Sequence, residues 1–184
     1  GETIRIFVDA DQQGTMPVLV VGQGKVRGNS WSRKEYPLAA GMNVITMPED
    51  TNLLPGVLYI RNPASPEDQA YAPRVRIEGG HEYPVYRHGE MTPEEYNQQL
   101  EAYCAKVEED PNTYADITEL TSENNTILLK ALDSLKGVQD MENLGVDVGD
   151  TMDEWEQVWE QFQLYSGFVK GDKNPKHDYY PAKY

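Results

Sequence analysis

The chain has 184 residues, a formal net charge of −15 and a single cysteine, Cys104. A domain of this length can bury about 70% of the surface its unfolded chain exposes, so it needs no disulfide staple, and one cysteine permits none within the chain. The acidic balance argues against a nucleic-acid backbone or an anionic membrane surface as partner unless basic residues are segregated, and no apolar run reaches the length of a transmembrane segment.

Up to about residue 90 the pattern is one of short strands: TIRIFV, MPVLVV, MNVITM, GVLYIRN, PRVRIEG and EYPVYR, separated by turn clusters such as DADQQG and PASPED. Strands at this spacing predict an antiparallel sandwich or barrel. Arg61, Arg74, Arg76 and Arg87 alternate with apolar residues, the pattern of a solvated sheet face rather than a phosphate track. VLVVGQGKVRG places Gly22, Gly24 and Gly28 after a strand, as a dinucleotide fingerprint would. The last glycine comes one residue late and no helix follows, so a hairpin loop is the better reading. In the loop GNSWSRKEYP, Trp31 and Tyr36 are the candidates for ligand binding. Aromatics on such loops stack on sugars or peptides, although a hydrophobic lid over the sandwich end is the simpler account.

GGHEYPVYRHG carries two of the three histidines, with Glu82 directly after His81. A zinc-hydrolase helix of the H-E-x-x-H type needs its second histidine four residues after the first, so that both imidazoles leave one face. Here that position is Val85, and Pro84 interrupts any helix that would align His81 with His88. The stretch reads as a strand, with Gly79, Gly80 and Gly89 as turn punctuation. No catalytic or metal-ligating residue is assigned from it.

Helices follow. In MTPEEY, Thr92 caps, Pro93 takes the first helical position and Glu95 completes a capping box, after which Tyr96, Leu100, Tyr103 and Val107 form one apolar stripe ended by Asp110-Pro111. Cys104 lies within this helix, where a buried inert thiol is expected. NTILLKAL predicts either a strand returning to the sheet or the first turn of a helix. An acidic, glycine-containing stretch leads to a second helix, with capping-box spacing at Thr151 and Glu154. Its aromatic stripe, Met152, Trp155, Trp159, Phe162 and Tyr165, is expected as core. Asp147, Asp150, Asp153 and Glu154 supply hard oxygens that suit calcium but lack the spacing of a known loop. Acids in a first helical turn are also expected from the helix dipole.

The order of segments adds a resemblance. GETIRIFVD, then YPLAAGMNVI, PGVLYIRNP and PRVRIEGGHEYPVY before a helix, and later MDEWEQVWEQF, is similar to the opening of the enhancin-like, mucin-directed zinc metallopeptidases, metallopeptidase family 60. The resemblance implies an α+β fold, an antiparallel β-sandwich followed by amphipathic helices. The sandwich is expected over residues 1–90, a helix and returning strand over 91–132, and the start of a helical peptidase region over 133–184. It further implies an extracellular or bacterial cell-surface parent that hydrolyses glycosylated, mucin-type proteins with zinc-activated water and a glutamate base. That family's H-E-x-x-H helix falls C-terminal to everything quoted. This chain is therefore expected to be a non-catalytic portion, cut before the metal site, inactive alone and holding no cofactor, with zinc expected in the parent. The alternative is a stand-alone glycan- or protein-binding β-sandwich of a bacterial surface protein.

Overall fold

The computed structural model describes residues 3–10, 14–22, 34–47, 57–64, 73–174 and 177–178. The chain divides into two compact units, Gly1–His81 and Glu82–Tyr184. Among the described residues these hold three small sheets and three helices, an α+β class.

In the first unit, alternation in the sequence becomes alternation in burial. Strand β1 (Thr3–Asp9) buries Ile4, Ile6 and Val8 and turns Thr3, Arg5 and Asp9 to solvent, the period of two that a half-buried strand requires. It is the centre of an antiparallel sheet ordered β4-β1-β6, with β4 at Gly41–Thr46 and β6 at Arg74–Glu78. A second antiparallel sheet is ordered β3-β2-β5, from β2 (Val18–Val21), β3 (Lys34–Pro37) and β5 (Leu58–Arg61). Ile4, Ile6 and Val8 of one sheet and Leu19 and Val21 of the other join Leu38 in one core cluster.

The segment YPLAAGMNVI explains how the chain passes from one sheet to the other. Tyr36 is half-buried on β3, beside Leu19 of β2, and packs on that core. Leu38 is buried beyond it, and Gly41 takes φ +85° at the turn, a conformation that favours glycine. Asn43 then ties the turn. Its Oδ1 accepts from the Ala39 amide at 2.8 Å and its Nδ2 donates to the Ala39 carbonyl at 2.8 Å. The sequence pattern puts Tyr36 in a loop. The backbone pairing of Lys34–Pro37 with β2 makes it part of a strand, while Trp31 lies outside the described residues.

The second unit begins with β7 (Val85–Arg87), a strand expected within the sandwich. It pairs instead in parallel with β8 (Thr118–Thr121), and β8 pairs antiparallel with β9 (Thr126–Leu129). Parallel neighbours need a crossover connection, and helix α1 (Pro93–Glu109) supplies it. The capping box is present as expected. The Glu95 amide donates to Thr92 Oγ1 at 3.2 Å, and the Thr92 amide donates to Glu95 Oε2 at 2.9 Å. Tyr96, Leu100, Tyr103, Cys104 and Val107 are all buried along its inner face.

NTILLKAL holds strand β9, which pairs with β8 rather than returning to either sheet of the first unit, and then the start of helix α2 (Ala131–Leu144). Helix α3 (Val148–Tyr165) follows after Gly145, which ends α2 at φ +73°. Its cap is not Thr151 with Glu154. Asp147 accepts from the Gly149 and Asp150 amides at 2.7 and 3.0 Å, and Asp150 Oδ2 accepts from the Asp147 amide at 2.9 Å. The helix therefore starts earlier, and Thr151 sits within it, its hydroxyl donating to the Asp147 carbonyl at 3.2 Å.

Candidate functional site

The histidine stretch forms no metal-binding helix. His81 to Pro84 is irregular and His88 follows directly on β7. His88 Nε2 lies 3.0 Å from Asp153 Oδ1 of α3, and the Tyr86 hydroxyl lies 3.5 Å from His88 Nδ1. This small chain of groups joins a strand end to a helix. Burial, and then the charges of Asp147, Asp153 and Asp150, push the Tyr86 phenol up, so it stays protonated at neutral pH. Gly149 sits close beside it, where any larger residue would push these side chains aside. A Cβ there would stand 2.9 Å from Asp147 Oδ1 and 3.1 Å from the Tyr86 hydroxyl.

Among the described residues no group of three His, Cys, Asp or Glu side chains could hold a metal ion. The zinc that the family resemblance implies does not fit these residues. The calcium reading of Asp147, Asp150 and Asp153 gives way to their observed roles, the first two as reciprocal caps and the third as the partner of His88. Cys104 is buried, and desolvation followed by Asp116 and Glu108 pushes its thiol up to about 11, which keeps it from acting as a nucleophile.

Two features dominate the second unit, the first of which the sequence did not single out. One is Glu156 on α3, which grips the β8–β9 hairpin. Its Oε1 accepts from the Ser122 hydroxyl, from the Asn124 amide at 2.9 Å and from Asn125 Nδ2 at 3.1 Å, while Oε2 accepts from Asn124 Nδ2 at 2.6 Å. Desolvation alone would raise this carboxyl, but these donors outweigh it and hold it at about 2.

The other is the surface of α3. Met152 is fully buried, and Val148 and Gln163 are buried with it. The aromatic stripe expected as core is divided. Trp155, Val158, Phe162 and Tyr165 are 45%, 57%, 61% and 89% exposed. On a helix these four residues, spaced three, four and three apart, share one strip, and Trp159 stacks on Phe162 with ring centroids 6.1 Å apart. Helix α3 thus has an apolar arc covered on one side and open on the other.

In the first unit, Arg74 and Arg76 lie as expected on an exposed face, whereas Arg61 on β5 is half-buried and pairs with Glu35 at 2.7 Å. Arg76 stands over the Phe7 ring, 4.3 Å from its centroid, and pairs with Glu78. Phe7, Asp9, Arg74, Val75 and Arg76 line a shallow depression of about 520 Å³. Both parts of this arrangement were present in the alternation of TIRIFVD and RVRIE, but only the pairing of β1 with β6 sets them side by side.

No protein-family model matches the chain, and no curated protein does. Solved structures do. The catalytic module of the metalloprotease ZmpA from Clostridium perfringens is 30% identical with a TM-score of 0.79, over 94% of this chain and 35% of that one. The ZmpB metallopeptidase of the same organism is 27% identical, TM-score 0.80, over 94% and 35%. The M60 catalytic domain of its ZmpC, in complex with the sialyl T antigen, is 28% identical, TM-score 0.79, over 94% and 34%. The chain therefore resembles M60 metallopeptidase catalytic modules along nearly its whole length and spans about a third of the chains it matches.

Proposed function

We propose that this chain is the non-catalytic front portion of a secreted or cell-surface metallopeptidase of the M60 type, acting on mucin-type glycoproteins. Its two N-terminal sheets pack as a sandwich, and its helices form a seat for the remainder of the module. The observation that carries this reading is the open apolar strip of α3. An exposed strip of Trp155, Val158, Phe162 and Tyr165 on a well-capped helix is a packing surface in search of its counterpart. The ZmpA catalytic module, nearly three times as long, contains further structure that can serve as one. In this reading the metal chemistry, with zinc, belongs to that further structure. The residues described here align and support it.

A stand-alone glycan- or protein-binding module is the second reading, favoured by the arginine-flanked face of the first sheet. Sequencing the coding region beyond Tyr184 separates the two. An H-E-x-x-H with a third ligand downstream supports the peptidase, and an unrelated domain or a stop removes it.

A physical test uses the chain as it is. Trp155→Gln with Phe162→Gln is expected to abolish binding of a hydrophobic dye and any self-association in sedimentation. Helix content by circular dichroism should be unchanged, since neither side chain is buried. Loss of helix content together with dye binding would mean that the strip already serves this chain's own core, and the reading of α3 as a seat would fall.

A further inference from the structure

The outer face of the sheet β4-β1-β6 combines features that a merely solvated face does not need. Arg5 lies between Val44 and Glu78, Phe7 between Met42 and Arg76, and Asp9 beside Arg74. Met42 and Val44 are 61% and 57% exposed. Apolar and aromatic side chains therefore form a strip along the face, with guanidinium groups along one flank and within it. Arg76 is paired with Glu78, whereas Arg5 and Arg74 make no ion pair among the described residues. The face carries three guanidinium groups against two carboxylates, a small positive excess in a chain of net charge −15.

We infer that this face binds a carboxylate-bearing oligosaccharide. The chemistry of the face selects that class. Guanidinium forks match a carboxylate, and the apolar strip of Met42, Phe7 and Val44 matches the C–H faces of sugar rings. Asp9 and Glu78 accept hydrogen bonds from ring hydroxyls. A polyanion fits poorly, because the two carboxylates would face like charge and the chain as a whole repels it. A neutral sugar leaves Arg5 and Arg74 without their match. The depression bounded by Phe7, Asp9, Arg74 and Arg76 is shallow and open, which suits a chain terminus lying across it rather than a buried small molecule.

The inference rests on the glycoprotein-directed reading above and places a contact with the glycan in the first unit, remote in sequence from any metal site. It is tested on the intact chain by titrating a sialylated trisaccharide and its desialylated counterpart while following backbone amide NMR shifts. The expected result is weak binding, with a Kd on the order of 1 mM. Shifts should be confined to Thr3–Asp9, Gly41–Thr46 and Arg74–Glu78, weaken with added salt, and be absent for the neutral sugar. Arg74→Ala and Arg5→Ala together should raise the Kd at least tenfold. Both positions are exposed, so the variants should keep the wild-type spectrum elsewhere.

Equal response to the neutral sugar, no response at 10-fold excess over about 1 mM, or undiminished affinity in the double variant would overturn it. The proposed role of α3 is read by dye binding and sedimentation, so failure of the glycan site and failure of the peptidase reading give different results.

Discussion

Leu100→Ala is expected to remove about 2–5 kcal/mol from the stability of the second unit. Leu100 is fully buried on α1, in a cluster with Tyr96, Tyr103, Cys104, Val107 and Leu120. Truncating it loses the transfer free energy of its methyl groups and leaves a cavity that these neighbours fill only in part. Urea unfolding, with amide exchange on α1 as a local readout, measures the loss. Leu100→Met, which nearly conserves volume, should cost less than about 1.5 kcal/mol. If the alanine variant loses under 1 kcal/mol, the helix is not seated on that core.

A second expected result concerns Glu156, whose replacement by glutamine should cost about 1–3 kcal/mol once solvent screening of a partly exposed group is allowed for. The carboxylate accepts from four donors on Ser122, Asn124 and Asn125, and the amide cannot match them all. Its folded-state value of about 2 lies below the ordinary 4.5. Its stabilisation is therefore complete above about pH 4.5 and disappears as the pH falls through about 2. Wild-type protein should lose stability across that window by the amount the variant has already lost at neutral pH, and the variant should show a flatter acid limb. Identical acid limbs would show that the hairpin is held by something else.

How legible these features were depends on whether their causes are local. Helix α1 was readable because Thr92, Pro93 and Glu95 cap it from within a single turn. Helix α2 was not. Its start carries no side-chain cap of its own, and the Leu132 amide is satisfied by Asp116 Oδ1 at 2.9 Å, from far upstream in sequence. Strand β8 was hidden by its polar letters. Thr118 and Glu119 are buried in it, and the Thr118 hydroxyl is satisfied by the Pro84 carbonyl at 3.0 Å and the Tyr96 hydroxyl at 2.9 Å. Periodicity located α3 and its apolar arc, but periodicity does not say which part of an arc a neighbour covers. The Glu156 clamp likewise depends on a hairpin that lies well before it in the chain.

The parallel pairing of β7 with β8 through α1 has a kinetic side. Strands β8 and β9 are joined by a short turn and can meet early, whereas β7 can join them only after the whole of α1 and the segment behind it have been gathered in, a closure with a larger entropic cost. The second unit should therefore assemble from its middle outward, with β7 docking late. Variants of α1 such as Leu100→Ala should slow refolding as well as hasten unfolding. A chevron in which only the unfolding arm moves would place α1 after the rate-limiting step.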